Sequence, residues 1–458
     1  MAKESLAKTD IVKVEDKKAV KGFFKILGEV ADAVRSWVGN ISPDLSSSRD
    51  IDSLVLKMNE CLNPKGGEVS ARKNTVSLGN LYLSLSEKGK IKFLQTLAEK
   101  FSLHKEEIDE KIKEYKENQN PELNYKFEQD LIKILESPRS KILKQFISLP
   151  EGLKFIVNMR SDVLKLKNQY RSLDPLENEL KNILYTWVDV DLLDLRQITW
   201  DSPASLLEKL IKYEAVHEIS SWGDLKNRLD SDHLCFAFFH YKIPNEPLIF
   251  VEVALVNKIA DSIQHLLDES VPSSDPSSAS TAIFYSISNT QAGLSGISLG
   301  NFLIKRVVEK LSQEFKSIKA YATLSPIPGF TKWLKNQDVA SLGKLNIKQS
   351  GAEILESIKT NVECEKQCLL KLCAHYLLKV KSSSGGAYDP VAHFHLSNGA
   401  SIKQLNWMAD TSEKGISQSA GMMVNYLYEL PKINNNHENY MINKAISCSK
   451  QVSSLLKG

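Results

Sequence analysis

Apolar and polar residues alternate along this chain with two periods, and the change from one to the other falls near residue 187. In 20–38, Val20, Phe23, Phe24, Leu27, Val30, Val34 and Trp37 recur at three and four with charges opposite, which predicts an amphipathic helix ending near Gly39, Asn40 and Pro43. The same period returns in 76–98, 108–115, 127–135, 142–147, 153–166 and 176–187. Asn63-Pro64-Lys65-Gly66-Gly67 precedes these runs, and Asn-Pro, Ser-Pro, Leu-Pro and Asp-Pro pairs break the later ones; both are signals that end helices. Beyond 187, segments 234–239 and 248–256 are aromatic and β-branched, joined by a polar turn from Tyr241 to Pro247, as two paired strands would be. A Ser/Pro-rich loop over 269–280 leads to a further strand at 282–287. Then Gly293, Gly296 and Gly300 interrupt the chain, and 301–311 resumes a helical period with Phe302, Leu303, Val307, Val308 and Leu311 on one face and Lys305, Arg306 and Lys310 outside it. Segments 331–336 and 351–379 read as helices, and 391–396, 402–408 and 422–430 are each short enough for strands. There is no internal repeat. The expected class is α+β, in three parts: an extension over 1–50 with one amphipathic helix, a helical domain over 51–188 suited to packing or oligomerisation, and a domain with a mixed sheet over 189–458.

Composition narrows this picture without changing it. A chain of 458 residues with 42% hydrophobic and 25% charged residues is a soluble globular protein of two or three domains. Its net charge of +3 leaves no electrostatic footprint for nucleic acid. Cys364, Cys368 and Cys373 fall at spacings of four and five within a helical pattern, so they read as reduced helix residues, not zinc ligands. No apolar run is long enough to cross a bilayer and the N-terminus has no secretory core, so no membrane role and a cytoplasmic location are expected. The basic amphipathic helix keeps a mitochondrial address open, and the ending Leu456-Lys457-Gly458 is not the peroxisomal Ser-Lys-Leu.

The candidate chemistry begins at the strand, glycine loop and helix over 281–311. Glycines permit positive φ and close approach, and the free N–H groups at a helix start attract anions such as a pyrophosphate. A tight strand-to-helix turn with no ligand has the same spacing. The loop is neither G-x-G-x-x-G nor a P-loop, which sets aside nicotinamide cofactors and ATP hydrolysis.

Three stretches, SGISLGNFLIKRVV (295–308), ATLSPIPGF (322–330) and DPVAHFHLSNGA (389–400), followed by LNWMAD (405–410) and GMMVNYLYEL (421–430), resemble the malonyl-CoA decarboxylases. Weaker similarity covers 198–230 and 151–167. The resemblance implies a helical N-terminal domain, a catalytic domain like the acyl-CoA N-acetyltransferase (GNAT-like) fold, and a homo-oligomer, tetramer or dimer. It implies conversion of malonyl-CoA to acetyl-CoA and CO₂, a reaction that regulates malonyl-CoA in fatty acid metabolism. Ser295, Gly296, Ile297, Ser298, Leu299, Gly300 and Asn301 match the family's CoA loop, and Ser325, His395 and Tyr428 match its active-site serine, histidine and tyrosine.

Loss of CO₂ leaves an enolate, so the site must hold the thioester oxygen and then protonate carbon. His395, with an ordinary imidazole pKa near 6.5, is expected to supply the proton, while Pro326-Ile327-Pro328-Gly329 fixes the Ser325 hydroxyl. No metal or cofactor is required, since the CoA thioester is the substrate and its own carbonyl is the electron sink. His393, on the same face of the expected strand, rivals His395, and Tyr426 rivals Tyr428. His217 and His240 stand behind the site or outside it; Lys305 and Arg306 meet a phosphate or solvent. In this chain Ser298 occupies a place where some members carry glutamate, and His217-Glu218 replaces the usual His-Pro. A CoA-dependent acyltransferase and an inert acyl-CoA-binding scaffold are the alternatives.

Overall fold

The computed structural model describes residues 41–297, 299–360 and 366–457; the helix expected over 20–38, Ser298 and Cys364 lie outside them. Two compact units form, and neither is continuous in sequence. Of the described residues, the first comprises 41–192 together with 240–244 and 291–297, and the second holds 193–239, 245–290 and those from 299 onward.

Helices α1 (Ser48–Leu62), α2 (Gly67–Ser84), α3 (Glu87–Lys100), α4 (Lys105–Glu117), α5 (Asn124–Ile134), α6 (Pro138–Ile147), α7 (Gly152–Leu166) and α8 (Asp174–Trp187) build the first unit. Local chemistry sets their ends. Ser47 and Asp50 form a reciprocal capping box at α1, and Pro138 and Pro175 occupy first-turn positions where no N–H is needed. The run 76–98 divides because the Ser86 hydroxyl accepts from Gly89 N and starts α3. Leu54, Leu78, Leu94, Leu143, Ile156 and Leu180 are fully buried in this unit. Helices α4 and α5 differ: they pack on each other, neither buries a residue, and Tyr125, Ile132 and Leu135 stay exposed.

The second unit is a mixed sheet of eight strands, β1 (Leu193–Ile198), β2 (His233–His240), β3 (Ile243–Val256), β4 (Thr281–Asn289), β5 (Ala320–Thr323), β6 (Ser325–Pro326), β7 (Ser401–Asn406) and β8 (Met423–Tyr428). Helices α9 (Ala204–Tyr213), α10 (Trp222–Asn227), α11 (Leu299–Glu314), α12 (Phe330–Lys335), α13 (Gly351–Thr360), α14 (Lys366–Lys379), α15 (Pro390–Ser397), α16 (Glu413–Ser419) and α17 (Ile433–Asn443) accompany it. The strands expected over 234–239, 248–256, 282–287, 402–408 and 422–430 are present. Segment 391–396 is not a strand: it forms α15. Asp389 accepts from the N–H groups of Val391 and Ala392 and Pro390 takes the first turn, so the local start signal overrides the alternating His-Phe-His pattern.

One irregularity of the sheet locates the chemistry. Strands β4 and β5 pair in parallel from Thr281↔Ala320 to Phe284↔Thr323, and Leu324 N still reaches Phe284 O at 3.0 Å. There the two part. β4 runs on to Asn289 beside β3, whereas the chain after Leu324 follows β8 instead, pairing Ser325 with Val424. The β4/β5 parallel pair therefore opens into a wedge whose far side begins at Ser325, and a bulge between Glu252 and Val253 bends β3 along the same stretch of β4.

Candidate active site

Three side chains from separate elements converge on the β8 edge of the wedge. Ser325 starts β6, where the Pro326–Gly329 turn holds its backbone: Ile327 N donates to the Ser419 hydroxyl at 3.2 Å, and Gly329 N to Asp389 at 3.3 Å. His395 comes from α15 and Tyr428 from the end of β8. Ser325 Oγ lies 3.2 Å from His395 Nε2, and His395 Nδ1 lies 2.8 Å from the Tyr428 hydroxyl. All three are buried. The Tyr426 ring stacks on the imidazole with centroids 4.5 Å apart, so the two tyrosines divide the work of placing it, Tyr426 by its face and Tyr428 by its hydroxyl.

The helical form of 390–397 sends the two histidines to different neighbours. Residues two apart on a helix point to different sides, and His393 turns away to the Tyr440 hydroxyl, 2.7 Å from its Nδ1. Between them, Phe394 lies against the start of α11: a Cβ on Gly300 would sit 2.7 Å from its ring. Among the described residues His217 and His240 make no hydrogen bond to the cluster, and the Nε2 atom of His217 is buried without a hydrogen-bond partner.

Burial changes what His395 can do. The imidazole pKa is pushed down to about 3 by desolvation, and the Tyr428 phenol is pushed well above its usual range by the same cause. The ordinary pKa near 6.5 expected from sequence is thus replaced: the ring is neutral, with one N–H to donate and one bare nitrogen to accept.

The glycine loop is placed by three different constraints. Gly293 allows the loop to lie on α7, since a Cβ there would be 1.8 Å from the Val157 carbonyl oxygen, and the Arg160 guanidinium, buried and paired with Glu177 at 2.7 Å, donates to the Gly293 carbonyl. Gly296 has φ of +73°, a backbone state that disfavours any residue with a Cβ, and its carbonyl accepts from the Tyr185 hydroxyl at 2.9 Å. Gly300 is needed by the Phe394 ring. Ser295, Gly296 and Ile297 belong to the first unit and Leu299, Gly300 and Asn301 to the second. Lys305 and Arg306 are exposed on α11, and its Leu303, Val307, Val308 and Leu311 are buried as the period predicts.

Two residues that contact the candidate cluster or its elements were not among those expected from sequence. Asp389, almost fully buried, ties the Ser325 turn to the helix of His395: Oδ1 accepts from Val391 N and Ala392 N at 3.0 Å each, and Oδ2 from Gly329 N and the Tyr376 hydroxyl at 3.3 Å each. The Asp-Pro pair was its signal. Thr323, fully buried, takes the Ser325 hydroxyl at 2.8 Å and Tyr426 N at 3.1 Å on its Oγ1; nothing in the sequence marked it.

A helical unit and an α+β unit, the latter bringing a neutral hydroxyl, imidazole and phenol together in a buried cluster, fit an enzyme that works by hydrogen bonding and proton transfer. Known proteins specify which. The family model described as the malonyl-CoA decarboxylase C-terminal domain matches residues 191–458, and that described as the N-terminal domain matches 101–188. The mitochondrial malonyl-CoA decarboxylase of Anser anser anser is 39% identical over 360 residues, which cover 72% of this chain and 71% of the goose protein; that of Mus musculus is 38% identical over 367 residues, covering 72% and 73%. Among solved structures, malonyl-CoA decarboxylase from Rhodopseudomonas palustris superposes with a TM-score of 0.80 at 36% identity, covering 89% of this chain and 99% of its own, and that from Agrobacterium vitis with 0.80 at 34%, covering the same shares. The chain belongs to the malonyl-CoA decarboxylase family, and is a carboxy-lyase.

Proposed function

We propose that this chain converts malonyl-CoA to acetyl-CoA and CO₂ through Ser325, His395 and Tyr428. The supporting observation is the buried hydrogen-bonded row from Ser325 through His395 to Tyr428. When the bond between the α-carbon and the carboxylate breaks, its electron pair moves into the thioester carbonyl and CO₂ leaves. The enolate oxygen takes a hydrogen bond from the imidazole N–H and, as charge builds on it, one from the Ser325 hydroxyl, which turns to it from Thr323 Oγ1; β6, α15 and β8 already hold both groups in place. His395 then gives its N–H proton to the α-carbon, with Tyr428 behind it to replace the proton on the other ring nitrogen. A thioester enolate is a stronger base than phenolate or imidazolate, the conjugate bases of the two neutral donors, so a neutral donor suffices. Since the thioester carbonyl is the electron sink, this route requires no resident cofactor or metal.

Ser295–Asn301 are assigned to the CoA phosphates on the strength of the glycine geometry and the helix start at Leu299. A homo-oligomer, tetramer or dimer, is inferred for the protein, and the unburied α4–α5 pair with exposed Tyr125, Ile132 and Leu135 supports it. Among the described residues no helix is long and apolar enough to cross a membrane. A cytoplasmic location is kept as the proposal; the names of the goose and mouse relatives make the mitochondrion the compartment to test against it, by fractionation of cells expressing the full chain. Release of labelled CO₂ from carboxyl-labelled malonyl-CoA tests the activity itself. An acyltransferase or an inert binder would release none.

A further inference from the structure

We infer that Thr323 is a positioning residue that sets the direction of the hydrogen-bond row and so the tautomer of His395; the inference rests on the active-site reading above. Each hydroxyl has one proton to give, and a backbone N–H can only donate. Tyr426 N occupies one lone pair of Thr323 Oγ1, and the Ser325 hydroxyl donates to the other, at 3.1 and 2.8 Å. Having given its proton to Thr323, Ser325 meets His395 Nε2 at 3.2 Å with lone pairs only. That contact is a hydrogen bond only if Nε2 carries the proton. In a neutral ring Nδ1 is then bare, and the Tyr428 hydroxyl 2.8 Å away must donate to it. Every proton in the row therefore points from Tyr428 toward Thr323, and Thr323, fully buried on the sheet, is its fixed end.

The direction matters for the chemistry. With the proton on Nε2, the imidazole presents its donor on the side of Ser325, where the thioester oxygen and the α-carbon are held in the proposed mechanism. As the Nε2 proton moves to carbon, the Tyr428 proton moves to Nδ1; the ring ends neutral in the opposite tautomer and Tyr428 ends as phenolate, which takes a proton back from water before the row returns to its starting state. Without an acceptor at 323, Ser325 is free to donate to Nε2 instead, which turns the row around and leaves a bare nitrogen facing the substrate. In a serine-protease triad a histidine held in the wrong tautomer costs about 10⁴ in kcat; here the row can still reverse, so a loss of about 10–10² is expected.

The test uses the full-length enzyme with ¹⁵N-labelled histidine, His395 being assigned by its absence from the His395→Asn spectrum. Wild type is expected to carry the proton on Nε2. Thr323→Val should shift the ring toward the Nδ1-protonated form and lower kcat for CO₂ release about 10–10²-fold with KM unchanged, while Thr323→Ser should restore both. A wild-type spectrum with the proton on Nδ1 overturns the inference, as does a folded Thr323→Val enzyme with normal kcat. Val leaves Tyr426 N without an acceptor; if that variant does not fold, the wild-type tautomer decides alone. Full turnover in Ser325→Ala and His395→Asn would instead show that the active-site reading itself had failed.

Discussion

Asp389→Asn separates the two tasks of the most connected carboxylate in the site. Asparagine is as good a helix cap as aspartate, so its Oδ1 can keep both bonds to Val391 N and Ala392 N and α15 should form as before. The other oxygen becomes an amide NH₂, which cannot accept. It faces two donors, Gly329 N and the Tyr376 hydroxyl, each 3.3 Å from Oδ2 in the native protein. Tyr376 can rotate its proton away and accept; the Gly329 N–H cannot turn. A buried donor left without a partner costs about 1–3 kcal/mol, and removal of a buried charge, whose pKa burial already raises, offsets part of that. The net loss of stability is therefore expected at about 1–2 kcal/mol. The effect on rate should be larger in proportion, because the Gly329 contact is what ties the Ser325 turn to the helix of His395. A misplacement of 1 Å costs up to about 10² in rate, so kcat should fall about 10–10²-fold with CoA affinity unchanged. Urea unfolding, CO₂ release and calorimetric titration with CoA on one preparation give all three quantities. A variant with wild-type stability and kcat would refute the claim that Asp389 holds the two catalytic elements in register.

Gly296→Val should weaken CoA binding strongly in calorimetry, since valine resists a φ of +73°; an unchanged affinity in a folded variant would make the loop a turn only. His395→Asn should lose about 10²–10⁴ in kcat while His393→Asn, at a ring that hydrogen-bonds Tyr440 and not Ser325 or Tyr428, should stay within a few-fold of wild type, and equal losses would reassign the proton donor. Ser325→Ala should lower kcat about 10²–10³-fold, the usual scale for one preorganised donor, with its melting temperature nearly unchanged; a stable variant at full rate would remove Ser325 from the mechanism.

Periodicity made the helices and most strands legible, because burial on one face leaves a trace in sequence whatever the partner. Leu303, Val307, Val308 and Leu311 were readable as an inner face for that reason. Segment 391–396 was misread because a six-residue run holds too few periods to distinguish two from 3.6, and the decisive signal lay just outside it in Asp389-Pro390. Long motifs mark the candidate residues of the site, but not their relations. Nothing in the spacing of Ser325, His395 and Tyr428 says that the first and last flank the imidazole, since that depends on β8 running antiparallel to β5 and β6. Glycines were the least transparent: Gly293, Gly296 and Gly300 look alike in the chain, yet one lets a backbone approach, one takes a left-handed turn and one yields room to a ring. Thr323 was invisible, as a buried threonine in a strand is ordinary and only the geometry of its two donors gives it a role.

Burial of His395 has the most direct consequence for how the enzyme should respond to pH. An imidazole near 6.5 would make kcat/KM bend in the neutral range, since that profile reports the essential groups of the free enzyme. Desolvation takes His395 down to about 3 and Tyr428 above its usual range. The sign follows from the active form being neutral: activity would be lost only as pH falls through the lowered value, far below neutrality, and deprotonation of the phenol lies far above it. Between pH 5.5 and 8, kcat/KM should thus vary by no more than about two-fold, where a histidine of ordinary pKa would change it about ten-fold for each pH unit below 6.5. The ¹⁵N titration of His395 in the free enzyme should be equally flat over that range. An inflection near 6.5 seen both in the rate and in the His395 resonance would show that the ring takes up a proton from water before substrate arrives, and the donor in the protonation step would then be imidazolium, not the neutral tautomer that Thr323, Ser325 and Tyr428 are arranged to hold.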